Sequence, residues 1–198
     1  MESWPLRTVP RESRDRCRKI SGDQVVMVVD VARFGSDQSV ILLRRGQRVE
    51  HVRAFRGLDT MQLAGRVASA IRKFQPQQVY IDEVGVGAGV VDRLREQGYC
   101  VKGINVARTA LQSAIFGNLR AEGYWKLRER FASGLISIPA DNQLMGELAA
   151  MRYSYDSQGR VLMESKDEMR GRGLPSPDRA DALMLAFLEP AAGAKLWT

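Results

Sequence analysis

The sequence predicts an α/β fold. Its central mixed β-sheet has three antiparallel strands first and parallel strands after them; helices flank it, and an extra β-hairpin lies near the C-terminus. Three observations carry this. Val25–Asp30, Ser39–Leu43 and Arg48–Phe55 follow one another as strand-like runs, and the break Arg44–Gln47 holds a glycine, as a hairpin turn does. After these runs, helical spacing alternates with short apolar runs, the order that lays strands parallel. The chain has 198 residues, 44% hydrophobic and 27% charged, which suits one globular domain with a real core.

Met1–Ser21 carries five arginines, two prolines and little apolar periodicity. It reads as a linker or arm before a domain over 22–190 and a tail over 191–198. Val25–Asp30 is apolar up to its last residue, as in a strand covered on both faces. His51, the single histidine, falls in the third strand and reads as a polar-face residue rather than a catalyst. Leu63, Ala64, Val67, Ala70, Ile71 and Phe74 set a helix over Thr60–Phe74, capped by Asp59 or Thr60 and stopped by Pro76. Gln77–Asp82 is a strand. Gly85, Gly87 and Gly89 form a tight turn into a helix over Val90–Gln97, and Cys100–Ile104 is a short strand. Asn118–Phe131 is a longer helix ended by Gly134, Leu135–Ile138 is extended, and Asp141 caps a helix reaching Ala150. Arg152–Tyr155 and Arg160–Met163 flank the turn of the second hairpin. Lys166–Gly173 reads as a polar, basic loop. Ser176 as N-cap and Pro177 as first helical residue open the last helix, Asp178–Leu188.

Thirty Lys and Arg against 23 Asp and Glu leave a net charge of +7 and a pI near 9.8. That balance favours a polyanionic partner, nucleic acid first. Cys17 and Cys100 are too few and too far apart for a disulfide framework or a zinc site. No apolar stretch approaches the ~20 residues of a membrane span. Polar, Arg-rich Met1–Lys19 is no signal peptide, so the expected location is the cytoplasm. There is no GxxxxGK[ST] phosphate loop, and GVGAG lacks the GxGxxG spacing of a dinucleotide site.

What remains is a set of acids where acids are costly. Asp30 ends a buried apolar strand, and an ionised carboxylate there needs compensation. Val79–Ile81 also ends in acid, Asp82-Glu83, and strand alternation turns only one of the two toward a given face. Asp178 and Asp181 lie three apart, on one side of the last helix. Asp178 also suits the helix dipole at that N-terminus, whereas Asp181 interrupts the apolar stripe of Met184, Leu185 and Leu188. Carboxylates alone select a hard cation, Mg²⁺ or Mn²⁺. Two such ions, ~3.5–4 Å apart, clamp a scissile phosphate.

VVDVARFGSDQSVI, YIDEVGVGAGVVDRL, LRAEGYWKLRE, LMESKDEMRGRG and SPDRADALMLAF occur in that order. As an ordered set, spanning about Val25–Leu188, they resemble the C-terminal nuclease domain of tailed-phage terminase large subunits. The resemblance implies an RNase H-like (RuvC-type) fold and two-metal endonuclease chemistry on double-stranded DNA during genome packaging. It makes Asp30 and Asp82 metal ligands, joined by Asp178, Asp181 or both. Asp37 is a weaker candidate, and Glu83 stands in reserve for Asp82. Lys166 is implied as a phosphate contact, with Arg170 and Arg172 as lesser companions. Implied partners are duplex DNA, the terminase ATPase domain, the small terminase subunit and the portal, in the host cytoplasm. The packaging ATPase of a full subunit is not encoded in these 198 residues. A RuvC-type junction resolvase and a catalytically silent DNA-binding or packaging-partner remnant are the alternative expectations.

Overall fold

The computed structural model describes residues 2–3, 24–32 and 37–188. The 191–198 tail, and all of the 1–21 arm except Glu2–Ser3, lie outside the described residues. β2 (Val25–Asp30) pairs antiparallel with β3 (Ser39–Arg45), and β3 antiparallel with β4 (Arg48–Phe55). β5 (Gln78–Asp82) joins the other edge of β2 in parallel, and β6 (Lys102–Ile104) joins β5 in parallel. The sheet order is therefore β4-β3-β2-β5-β6, with β2 central and all six of its residues buried. A central strand needs apolar residues on both faces, which is why Val25–Val29 shows no polar alternation.

Alternate residues serve two separate layers. Val25, Met27, Val29, Ile41 and Leu43 pack with α1 (Thr60–Phe74) and α2 (Gly87–Glu96). Val26, Val28, Val40 and Leu42 pack on the opposite side with α3 (Leu119–Ala132), α4 (Asn142–Ala150) and α6 (Asp178–Phe187). The hairpin is also present: β7 (Arg152–Tyr155) pairs with β8 (Val161–Met163), and β1 (Glu2–Ser3) completes a small second sheet on β7.

Three local expectations are corrected. The basic stretch after β8 is not a loop at its start: Lys166–Gly171 is a helix, α5. Ser165 and Glu168 form a capping box there, a signal legible in the spacing S-x-x-E. α2 begins at Gly87, three residues before Val90, because the glycines enter the helix. A Cβ on Gly87 would stand 1.8 Å from the Asp82 carbonyl oxygen, so only glycine lets α2 start against the end of β5. At α6, Pro177 itself is the N-cap residue and makes no side-chain cap. The amide of Ala180 is instead taken at 2.9 Å by Glu147, which reaches across from α4.

Candidate active site

In the parallel pairing of β2 and β5, Val28 faces Tyr80 and Val29 faces Ile81. One residue further, the same register sets Asp30 beside Asp82, at the C-terminal ends of both strands. Alternation gives Asp30 the face of Val26 and Val28, and gives Asp82 the face of Tyr80. All three of those residues belong to the layer that contains α6. Glu83 sits elsewhere: its carboxylate lies over Gly103 of β6, where a Cβ would come within 2.0 Å of Oε2.

α6 supplies the rest. Asp178 and Asp181 stand in its first turn, both buried, above the end of β2. Asp178 Oδ2 accepts a hydrogen bond from the Gln38 amide at 2.6 Å, which ties α6 to the start of β3. Asp181 Oδ1 accepts from Tyr124 Oη at 2.8 Å and from Arg120 Nε at 3.1 Å, both on α3. Lys166, the first residue of α5, places Nζ 3.5 Å from Asp178 Oδ1 and 3.3 Å from Asp181 Oδ2.

The four carboxylates form one electrostatic unit. Burial pushes Asp30 well above the usual carboxylate range; Lys166 opposes this, and Asp181, Asp82 and Asp178 add to it. Burial, with a contribution from Asp181, raises Asp82 to about 6 against a hydrogen bond from the Val84 amide. Burial raises Asp178 too, against the hydrogen bonds it accepts. Asp181 moves the other way. Burial alone would raise it, but the charges of Arg120 and Lys166 outweigh that and lower it. Lys166 is raised, because Asp181, Asp30 and Asp178 outweigh its own desolvation.

A divalent ion fits this donor set on one observation in particular. Asp30 Oδ2 is buried and has no hydrogen-bond partner among the described residues. An orphaned carboxylate oxygen beside other carboxylates is unstable by itself and suited to a hard cation. In the present arrangement, however, no three His, Cys, Asp or Glu side chains among the described residues are grouped to hold a metal ion. Lys166 and Arg120 occupy oxygens of Asp178 and Asp181 instead. Lys166 is the movable cation of the two, its side chain 38% exposed against 15% for Arg120.

The other expected residues are spread around this centre. Asp37 pairs with Arg170 at 2.9 Å, and its charge reaches Asp178. Arg170 also pairs with Asp167, and Arg172 is tied to Glu164 and to the Ala150 carbonyl. Sequence reasoning assigned no role to Arg120, Tyr124 or Glu147. Arg120 and Tyr124 lie one turn apart within LRAEGYWKLRE, so a charged residue and a phenol recurring at helical spacing was the available signal. Glu147 lies between Leu144 and Leu148 on α4, and all three are buried. Burial raises it to about 7, with a further push from Asp178.

A family model described as the terminase RNase H-like domain matches residues 27–189. No curated protein matches the chain. Among solved structures, it is similar to the nuclease domain of the large terminase subunit gp2 of bacterial virus Sf6. That likeness has a TM-score of 0.77 at 22% identity and covers 85% of this chain and 89% of that one. A variant of the same domain solved with manganese gives 0.76 at 20% identity, covering 86% and 91%. The large terminase nuclease from thermophilic phage G20c with bound magnesium gives 0.67 at 19% identity, covering 83% and 80%.

Proposed function

The chain belongs to the terminase RNase H-like domain family, and from that membership we propose that it is a metal-dependent endonuclease cutting double-stranded DNA as the nuclease part of a phage terminase large subunit. One observation carries the reading: acids from β2, β5 and α6 act on one another's charge at one end of the sheet, and Asp30 Oδ2 is left without a partner there among the described residues. Solved relatives of similar fold hold manganese and magnesium, which supports Mg²⁺ or Mn²⁺ here.

When bound, one or two such ions supply positive charge to the scissile phosphate and acidity to the attacking water. The chain's own residues do the remainder. Asp30, Asp82, Asp178 and Asp181 are the ligand set, with Asp37 beside it and Glu83 turned away over Gly103. Arg120 and Tyr124 fix Asp181 in one rotamer, so that only its Oδ2 side remains for other partners. Lys166 holds the carboxylates together at neutral pH. On moving out of the cluster it becomes a cation available to a DNA phosphate. Arg170 and Arg172 are already paired with acids and contribute mainly to placing α5.

The test is cleavage of plasmid, linear duplex and a four-way junction by the purified chain with Mn²⁺. Cutting of linear duplex that is lost in Asp30→Asn is expected; strong preference for the junction makes the protein a resolvase instead. The silent-remnant reading is favoured by one feature, the lysine seated among the acids. It wins if plasmid stays uncut at high protein concentration.

A further inference from the structure

On the opposite face of the sheet from Asp30, a cavity of about 230 Å³ opens between β3, β4 and α1. Its floor is apolar: Met27, Ile41 and Leu43. Phe55 and Phe74 form walls, and the Phe74 ring lies 4.9 Å from the His51 ring. Its rim is cationic, from Arg53 on β4 and Arg66 and Lys73 on α1. Among the described residues no carboxylate pairs with any of the three, although many surface cations of this chain are paired. β4 is also the outermost strand of the sheet. Among the described residues its outer edge is bonded only near its start, where the Val49 amide donates to the Ser137 carbonyl and the Ser137 amide to the Gln47 carbonyl. Beyond Val49 no described backbone group bonds that edge.

We propose that this cavity is the docking site for an extended, acidic segment of a second protein, added as a strand along β4 with one large apolar side chain seated between β3 and α1. Strand addition satisfies the open backbone groups, and alternate side chains of the added strand turn toward the cavity. Its floor takes an apolar group; its rim takes carboxylates two residues to either side of that group, on the same face of the added strand. The charges argue for this occupant. A second copy of the chain, at +7, is repelled by the arginine-lined edge, as edge strands protected by cations generally are. The chain's own residues 4–23 hold six Arg and Lys against three Asp and Glu, the wrong sign for the rim. A phosphodiester backbone finds cations here but leaves the apolar floor unfilled. The site is separated from the acids by the full thickness of the sheet, so it stands or falls independently of the nuclease reading.

The probe is a fluorescein-labelled peptide, Asp-Glu-Phe-Glu-Asp, titrated with the whole chain at low salt and read by anisotropy. Binding is expected, with a loss of about tenfold, or ~1.4 kcal/mol, when the peptide's Phe becomes Ala. Arg66→Glu, on the exposed side of α1, and Ala70→Trp, which fills the cavity, are each expected to cost at least about as much. DNA cleavage by Arg66→Glu stays at the unsubstituted level. No binding up to about 1 mM peptide overturns the proposal. So does equal binding of the Phe and Ala peptides, which reports bulk charge alone. Displacement of the peptide by a short duplex, with duplex affinity lost in Arg66→Glu, assigns the surface to nucleic acid and overturns it too. A concentration-dependent dimer abolished by Arg66→Glu assigns it to a second copy, with the same consequence.

Discussion

Asp30 Oδ2 is a buried carboxylate oxygen of the site with no hydrogen-bond partner among the described residues, and the chemistry can be tested through it. Asp30→Asn keeps volume and removes charge. Cleavage is expected to fall by about 10³-fold or more, since a lost ligand forfeits several kcal/mol of charge stabilisation. Circular dichroism should show the same fold, with stability unchanged or raised, because a buried charge has gone. Retained nicking removes Asp30 from the ligand set. Asp82 permits a signed pH test. Its folded value of about 6 lies above its ordinary 3.8, so the metal-free folded state holds the proton more tightly than the unfolded chain. The resulting stability is full below pH 3.8 and is lost as pH rises toward 6. Asp82→Asn lacks this dependence. Its stability advantage over the unsubstituted chain should therefore grow between those two pH values and level off above them; a constant gap in urea melts contradicts the assignment. Lys166→Ala removes the cation competing for Asp178 and Asp181. Calorimetry should show tighter Mn²⁺ binding, while the salt slope of DNA affinity falls by about one contact. An unchanged slope means that Lys166 never meets phosphate.

Elements bring these residues together, and the closest fit is between β5 and α2. Gly87→Ala places a methyl group against the Asp82 carbonyl, and backbone on both sides leaves nothing soft to yield. The strand end must shift and carry the Asp82 side chain with it. A large loss of cleavage with cooperative unfolding preserved is expected; full activity in Gly87→Ala shows that the strand end is free to move. Much of this architecture was legible in the sequence. Val25–Val29 declares a doubly covered strand by its unbroken apolar run, and α1 declares itself by spacing and by its Asp59 cap, which the structure retains. Asp82 and Glu83 could not be separated by pattern, because the strand ends between them; the β2–β5 register separates them. The cap of α6 was illegible for a different reason. Its acceptor, the Glu147 carboxylate, comes from 33 positions away, and no local propensity encodes that contact. For Arg120 and Tyr124 the spacing within α3 shows that they share a face, but not that this face meets α6 rather than water.

Across the whole molecule, the proposed ligands come from a central strand, a neighbouring parallel strand and the last helix, joined only through the folded core. A cation bound among them therefore binds the native state and not the unfolded chain, and linkage makes it a stabiliser of the entire fold. At a hundred times its dissociation constant a single ion contributes about 2.7 kcal/mol. For a chain of this size that corresponds to a rise in Tm of roughly 5–10 °C. Mg²⁺ or Mn²⁺ should give the shift, and Na⁺ at equal ionic strength should not. The effect should vanish in Asp30→Asn and in Asp181→Asn, which sit on different elements, but persist in Glu83→Gln, whose carboxylate lies over Gly103. The measurement needs no DNA and no turnover, so it separates a failed metal site from a missing packaging partner. If the Tm is indifferent to divalent ions while the unsubstituted chain still cuts DNA, the acids are not a metal centre. Lys166 is then their permanent counterion rather than a placeholder.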